Sequence, residues 1–292
     1  SGPLTGTEAE ALARDLTQKD TEQLLLYAAQ LTESQGEDYA IDVFNQMYDA
    51  GNTRVIPSAA RAMVYGDPEA ATTILQGQAW LDDPNSTFKP GDISKVRAEI
   101  VDQLGAAYGA DPDMRDRAVS AILAHYTGVK TNTGAGFAYD GDQITASVNK
   151  VSPVFDFEGT SVVAPTPQTT QNDFTRWAAS FTADTLPAMV DVNGNEIPAE
   201  DVRDGLYDGN ILTSTRFNLV QVGPPGQYYI MDNRSFRGRG GANSNMGSLL
   251  MDADHPGNPV VLRYDPANTR SRYSTTRRGV RERGERERNE KP

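Results

Sequence analysis

Asn193-Gly194, set between Ala188-Met189-Val190-Asp191-Val192 and Asn195-Glu196-Ile197, constrains this chain more than any other short segment. Asn-Gly between two short β-prone runs predicts a hairpin with a type I′ turn, because both central residues of that turn take positive φ. A short acidic helix is expected over Pro198 to Tyr207. Two further strands are expected over Arg216 to Val222 and Gln227 to Met231, split by the turn Gly223-Pro224-Pro225-Gly226. The sheet region therefore begins near Asp184 and runs to about Arg263.

Upstream the periodicity is helical. Thr7 with Glu10 has capping-box spacing, and Leu12, Leu16, Leu24, Tyr27, Ala28 and Leu31 form a broken helical stripe stopped by Gly36. Helices are expected from about Tyr39 to Gly51, from Pro57 to Val64, and from Asp67-Pro68-Glu69 through Trp80. Another follows Gly91-Asp92, and one more begins at Asp111-Pro112 and ends near residue 128. From Thr131 glycine, asparagine, threonine and proline rise. Asp142 to Val151 predicts one last long helix, Val151 to Gln171 a loop, and Asp173 to Thr182 a short helix holding Trp177. The fold class is thus α+β: a helical part over 1–130, a loop-rich connector over 131–183, a small β-rich domain over 184–265, and a basic Arg/Glu-rich tail over 266–292.

Charge divides along the same line. The chain has 292 residues, 27 Lys or Arg and 40 Asp or Glu, net −13. From Arg270 onward there are nine basic and four acidic residues, net +5, which leaves −18 for the rest. An acidic body disfavours DNA as its ligand, whereas the arginine tail offers weak contact to phosphate or to an acidic protein. The tail, Arg277, Arg278, Arg281 and Arg283 included, reads as unfolded unless a partner orders it. With no cysteine there is no thiolate or disulfide chemistry. No apolar run approaches the roughly 20 residues of a membrane span. Ser1-Gly2-Pro3 reads either as an expression scar or as the start of a piece of a longer chain, and the helix pattern from Thr7 tips the reading slightly to the second.

Several short motifs invite chemical readings, and each has a blander one that fits better. Asp191-Val192-Asn193-Gly194-Asn195 opens like a calcium loop, but its glycine stands at the fourth position and Val202 at the twelfth, where a bidentate Glu is required. Asp252, Asp254 and His255 lie close enough to ligate a cation, yet no second cluster completes the shell and Asp-His-Pro-Gly-Asn fits a turn between two strands better. Arg237-Gly238-Arg239-Gly240-Gly241 resembles a single nucleic-acid-binding RGG box beside Phe236, within an acidic domain. Glu33-Ser34 matches the start of a transglycosylase acid motif but lacks its continuation, and sits in a polar turn that would not raise its pKa. His125, beside Tyr126, belongs on an apolar face. No catalytic residue, metal site or cofactor site is expected.

The order of features from about Gly77 to Arg263 resembles the C-terminal region of large internal virion proteins of tailed bacteriophages. Leu75-Gln76-Gly77 precedes a helix pair that ends in Ala121-Ile122-Leu123-Ala124-His125-Tyr126. A further helix with Ile144 and Val148, the Asn193-Gly194 hairpin, Leu219-Val220-Gln221-Val222 and Gly226-Gln227-Tyr228-Tyr229-Ile230-Met231-Asp232 follow. The resemblance implies a non-enzymatic protein of the particle interior that moves to the host periplasm or cytoplasm on ejection. It also implies partners: further copies of the chain in a ring or core, the portal, or other ejection proteins. Two alternatives stand beside it, the non-catalytic part of a virion-borne peptidoglycan transglycosylase and a host-binding adaptor or inhibitor. The contact surfaces expected are the Val190 to Tyr229 sheet, with Tyr228 and Tyr229, the helices from Tyr108 to Tyr126, and the arginines at 237, 239, 277, 278, 281 and 283.

Overall fold

The computed structural model describes residues 3–49, 55–85, 90–109, 111–134, 139–157, 160–181, 185–191, 193–206, 217–221, 223–232, 248–255 and 257–265. The fold is α+β, with ten helices and small antiparallel sheets among the described residues. The chain divides into two compact units. One comprises Ser1–Asp156, Thr160–Gln168 and Gln221–Pro225; the other comprises Phe157–Gly159, Thr169–Val220 and Gly226–Pro292.

Aspartates set the helix starts in the first unit. Asp20 caps α2 (Thr21–Gln35), Asp67 caps α5 (Pro68–Asp82), Asp111 caps α7 (Pro112–Thr133) and Asp140 caps α8 (Gly141–Val151). Each carboxylate accepts an amide N–H three residues on, at 2.8–3.1 Å. Such caps satisfy amides that have no partner inside the helix, and they oppose the positive end of its dipole. Proline follows the cap in α5 and α7, where its missing N–H costs nothing. Stops are equally local: Gly36 closes α2 at φ 91° and Gly134 closes α7 at φ 63°.

The capping box lies two residues before its expected place. Thr5 and Glu8 form it at the start of α1 (Gly6–Leu16), not Thr7 and Glu10. Both pairs have the required spacing, and the earlier one adds most of a turn to the helix. Residues 17–20 then separate α1 from α2. α3 (Glu37–Asp49), α4 (Ile56–Val64) and α6 (Pro90–Leu104) complete the set of helices. One hydrophobic cluster joins Leu16, Leu24, Ala28, Phe44 and Met47; another joins Val96, Ile100 and Leu104 of α6 with Ile122 and Tyr126 of α7 and with Ile144 and Val148 of α8. α7 runs past residue 128 to Thr133, and α8 packs with α6 and α7, so residues beyond 130 belong to this helical core.

Two expected features differ. The stretch after Val151 contains a two-stranded sheet of β1 (Val154–Phe157) and β2 (Thr160–Val163), where a loop was expected. The Asn193-Gly194 hairpin is present: β3 (Met189–Val190) pairs antiparallel with β4 (Glu196–Ile197), Met189 opposite Ile197. Its connection is longer than a two-residue type I′ turn. The Asp191 amide donates to the Asn195 carbonyl, the Gly194 amide donates back to the Asp191 carbonyl, and Gly194 follows at φ 81°. A turn followed by one left-handed glycine is the three-residue solution, and it too matches strand twist.

In the second unit α9 (Gln171–Ala178) and α10 (Ala199–Leu206) accompany the sheets. β3 also pairs β8 (Met251–Asp252). β6 (Gln227–Asp232) neighbours β5 (Phe217–Gln221), pairs β9 (Val261–Arg263) through Gln227 to Tyr229, and pairs β7 (Ser248–Leu249) through its last two residues. β6 alternates half-buried and buried residues along its whole length, the period-2 pattern of a strand covered on one face. Its buried face meets an aromatic cluster. Phe174, Trp177 and Tyr228 lie with ring centroids 5.1–5.5 Å apart, and Tyr264 lies 5.4 Å from Trp177. These tilted and edge-on contacts add to the burial of large rings.

Candidate functional site

The expected contact residues that the structure describes are largely buried. Tyr228 is fully buried in the aromatic cluster, so its ring serves the core of its own unit; Tyr229, the next residue along β6, is half-buried on the opposite face. Tyr108 and Tyr126 are 1% and 0% exposed, and α7 from Ala121 to Gly128 is buried without a break. The apolar faces of the Tyr108 to Tyr126 helices are therefore core, while Pro112, Asp113 and Asp116 of the same stretch are exposed. Apolar periodicity marks a buried face but does not say whether the same chain or another covers it. Arg237, Arg239, Arg277, Arg278, Arg281 and Arg283 lie outside the described residues.

The motifs with cation-binding looks resolve as turns. The Asp191 carboxylate accepts from the Asn193 amide, the Asn195 amide and the Asn195 side chain at 2.8–2.9 Å, and these bonds hold its pKa below the usual carboxylate range. Asp252 accepts the Asp254 amide on one oxygen and meets His255 Nδ1 at 2.9 Å on the other, while the Asn258 amide closes the turn on the His255 carbonyl. Among the described residues no group of three or more His, Cys, Asp or Glu is placed to hold a metal. Glu33 is exposed on the last turn of α2.

Several organised polar groups lie inside the helical unit, and of these the sequence pointed only to His125, as a residue of an apolar face. His125 is 7% exposed, and its Nδ1 lies 3.1 Å from Ser147 Oγ of α8. Burial pushes its pKa down to about 4, helped by the Lys150 charge and opposed by Asp67, so the ring is neutral at pH 7. Lys150 pairs with Asp67 at 2.5 Å. Burial raises the Asp67 carboxyl, but the Lys150 hydrogen bond and charge and the Ala70 amide outweigh it, and the net direction is down. One turn further along α7, Lys130, 6% exposed, donates to Asp140 at 2.8 Å, with its ammonium 5.7 Å from the Tyr126 ring. Tyr108 and Ser152 hydroxyls meet at 2.9 Å. Ser147 is fully buried, so its hydroxyl has no route to a substrate; the His125–Ser147 pair ties α7 to α8.

Beside this seam a cavity of about 40 Å³ opens to solvent. Arg61 and Lys150 are its charged lining residues, and the Arg61 guanidinium donates to the Pro165 carbonyl at 2.8 Å. No family model, no curated protein and no solved structure matches the chain. Among the described residues no helix is long and apolar enough to cross a membrane.

Proposed function

We propose that this chain is a non-catalytic internal virion protein of a tailed bacteriophage, part of a core or ejection assembly near the portal that accompanies genome delivery. The observation that carries the reading is the use made of buried polar groups. His125, Lys130, Tyr108 and Ser147 are each spent on a partner that joins elements of the same helical unit. A catalytic acid or base needs a displaced pKa together with access to substrate. Among the described residues the one strongly displaced group, His125, is bonded to a serine that solvent does not reach. The sequence order from Gly77 to Arg263 supplies the virion setting. The acidic body suits a protein packed beside DNA without adhering to it, and the basic tail suits contact with a partner. Copies in a ring would meet through heterologous surfaces, since an isologous contact closes at two.

Mass spectrometry of purified particles tests the reading: peptides spanning both units are expected in multiple copies per particle. Their absence from particles would point to the host-binding adaptor instead. Peptides found only within a longer product that carries a hydrolase domain would favour the transglycosylase-associated alternative. A zymogram cleared by this chain alone would overturn the non-catalytic assignment.

A further inference from the structure

We propose that the cavity in the helical unit is a binding site for a small aliphatic carboxylate. The inference rests on the cavity alone and stands whether or not the protein belongs to a virion. All of the described lining comes from this one unit. The described lining holds two charged residues, Arg61 and Lys150, both cationic, and no carboxylate, although the chain outside its tail is strongly acidic. A local reversal of sign in a concave, partly enclosed site is what an anion selects, because cations removed from water gain most from a charged partner.

The cations differ in a way that assigns roles. Arg61 is 7% exposed, and its bond to Pro165 and its position 5.7 Å from the Tyr65 ring fix the guanidinium before any ligand arrives. A guanidinium already held in place presents its positive charge to a carboxylate without a further ordering cost. The Lys150 side chain is 45% exposed and already held by Asp67, so it sits at the mouth and adds charge there. Ile74, Met114 and Val163 give the lining an apolar part that suits an aliphatic stem, and Ser58, Tyr65, Tyr108 and Ser152 add hydroxyls beside the two cations. The volume equals about three water-sized spheres, which matches the three heavy atoms of a carboxylate head and leaves a short stem toward the open side. Such a head occurs on a free short-chain acid and on the C-terminal residue of a polypeptide.

Methyl NMR of the full chain, titrated with isovalerate and with isovaleramide, tests the assignment. Isovalerate is expected to shift the Ile74, Met114 and Val163 methyl signals saturably, and isovaleramide to bind at least about tenfold more weakly. Arg61→Met should weaken isovalerate by about tenfold. Lys150→Met, at a half-exposed position, should weaken it by about threefold. N-acetyl-glycyl-leucine and its amide separate the two sources: tighter binding of the free peptide acid than of isovalerate assigns the site to a chain terminus, and the reverse assigns it to a free acid. Equal binding of acid and amide, no shift of these methyls by either, or unchanged affinity in Lys150→Met would overturn the proposal.

Discussion

Replacing Gly128 by alanine should destabilise the helical unit, against the ordinary preference of helices for alanine. Gly128 on α7 faces Thr73 on α5. A Cβ at Gly128 would lie 2.8 Å from Thr73 Cγ2, 3.0 Å from the Thr73 carbonyl carbon, and closer still to its oxygen. Across the same crossing, a Cβ on Gly77 would lie 2.6 Å from the Gly128 nitrogen and 2.8 Å from the Ala124 carbonyl carbon. Comfortable carbon contacts lie near 3.5–4.0 Å. The obstacles are mostly backbone, so relief requires α5 and α7 to separate, and no rotamer change suffices. Overpacking of this kind costs about 3 kcal/mol, the upper end of its usual range. Alanine returns about 1 kcal/mol through helix propensity. The net loss is about 2 kcal/mol, or about 4–8 °C in Tm for a unit of this size. Urea and thermal unfolding followed by circular dichroism would measure it, with Gly6→Ala as the control, since nothing lies within 4 Å of a Cβ there. The Gly77→Ala/Gly128→Ala double variant should lose less than the two single losses combined, because one helix separation relieves both clashes. Gly128→Ala as stable as the parent would refute the close crossing.

Two further variants probe the interior of each unit. His125 is neutral in the folded protein down to about pH 4 but takes up a proton near 6.5 when unfolded. Stability should therefore be fully present above pH 6.5 and fall as pH drops from 6.5 to 4, by up to about 3 kcal/mol. His125→Gln should flatten that part of a stability–pH profile, and an unchanged slope would count against the buried neutral ring. In the second unit Trp177 touches Phe174, Phe181, Tyr228 and Tyr264. Trp177→Ala should cost about 3–5 kcal/mol and abolish near-ultraviolet circular dichroism from the cluster, whereas a loss below 1 kcal/mol would show that the cluster does not hold the unit together.

What could be read in advance was what local chemistry decides. Asp67-Pro68, Asp111-Pro112 and Gly36 carry their own start and stop signals, and each bounds a helix in the structure. Asn193-Gly194 marked a hairpin, though not its loop length, because Asp191 captures the turn with its carboxylate. Where two local signals compete, as at Thr5 and Thr7, spacing alone cannot choose. β1 and β2 were hidden because two four-residue strands in a Pro-, Ser- and Thr-rich stretch leave too short a run for alternation to show. The pairing of His125 with Ser147 joins α7 to the next helix and that of Lys150 with Asp67 joins the end of α8 to the start of α5, neither signalled by local spacing, and Gly77 and Gly128 each look like a weakness until the two helices cross. The cavity was invisible for the same reason: Arg61, Lys150 and Val163 meet only through tertiary packing.

Three-dimensional reconstruction of the phage particle before and after genome release tests the functional proposal most directly. The account predicts density fitted by the two units near the portal in full particles, repeated around a symmetry axis and lost or displaced once the DNA has left. Empty and full particles alike without such density, with the chain found in the infected cell alone, would contradict it.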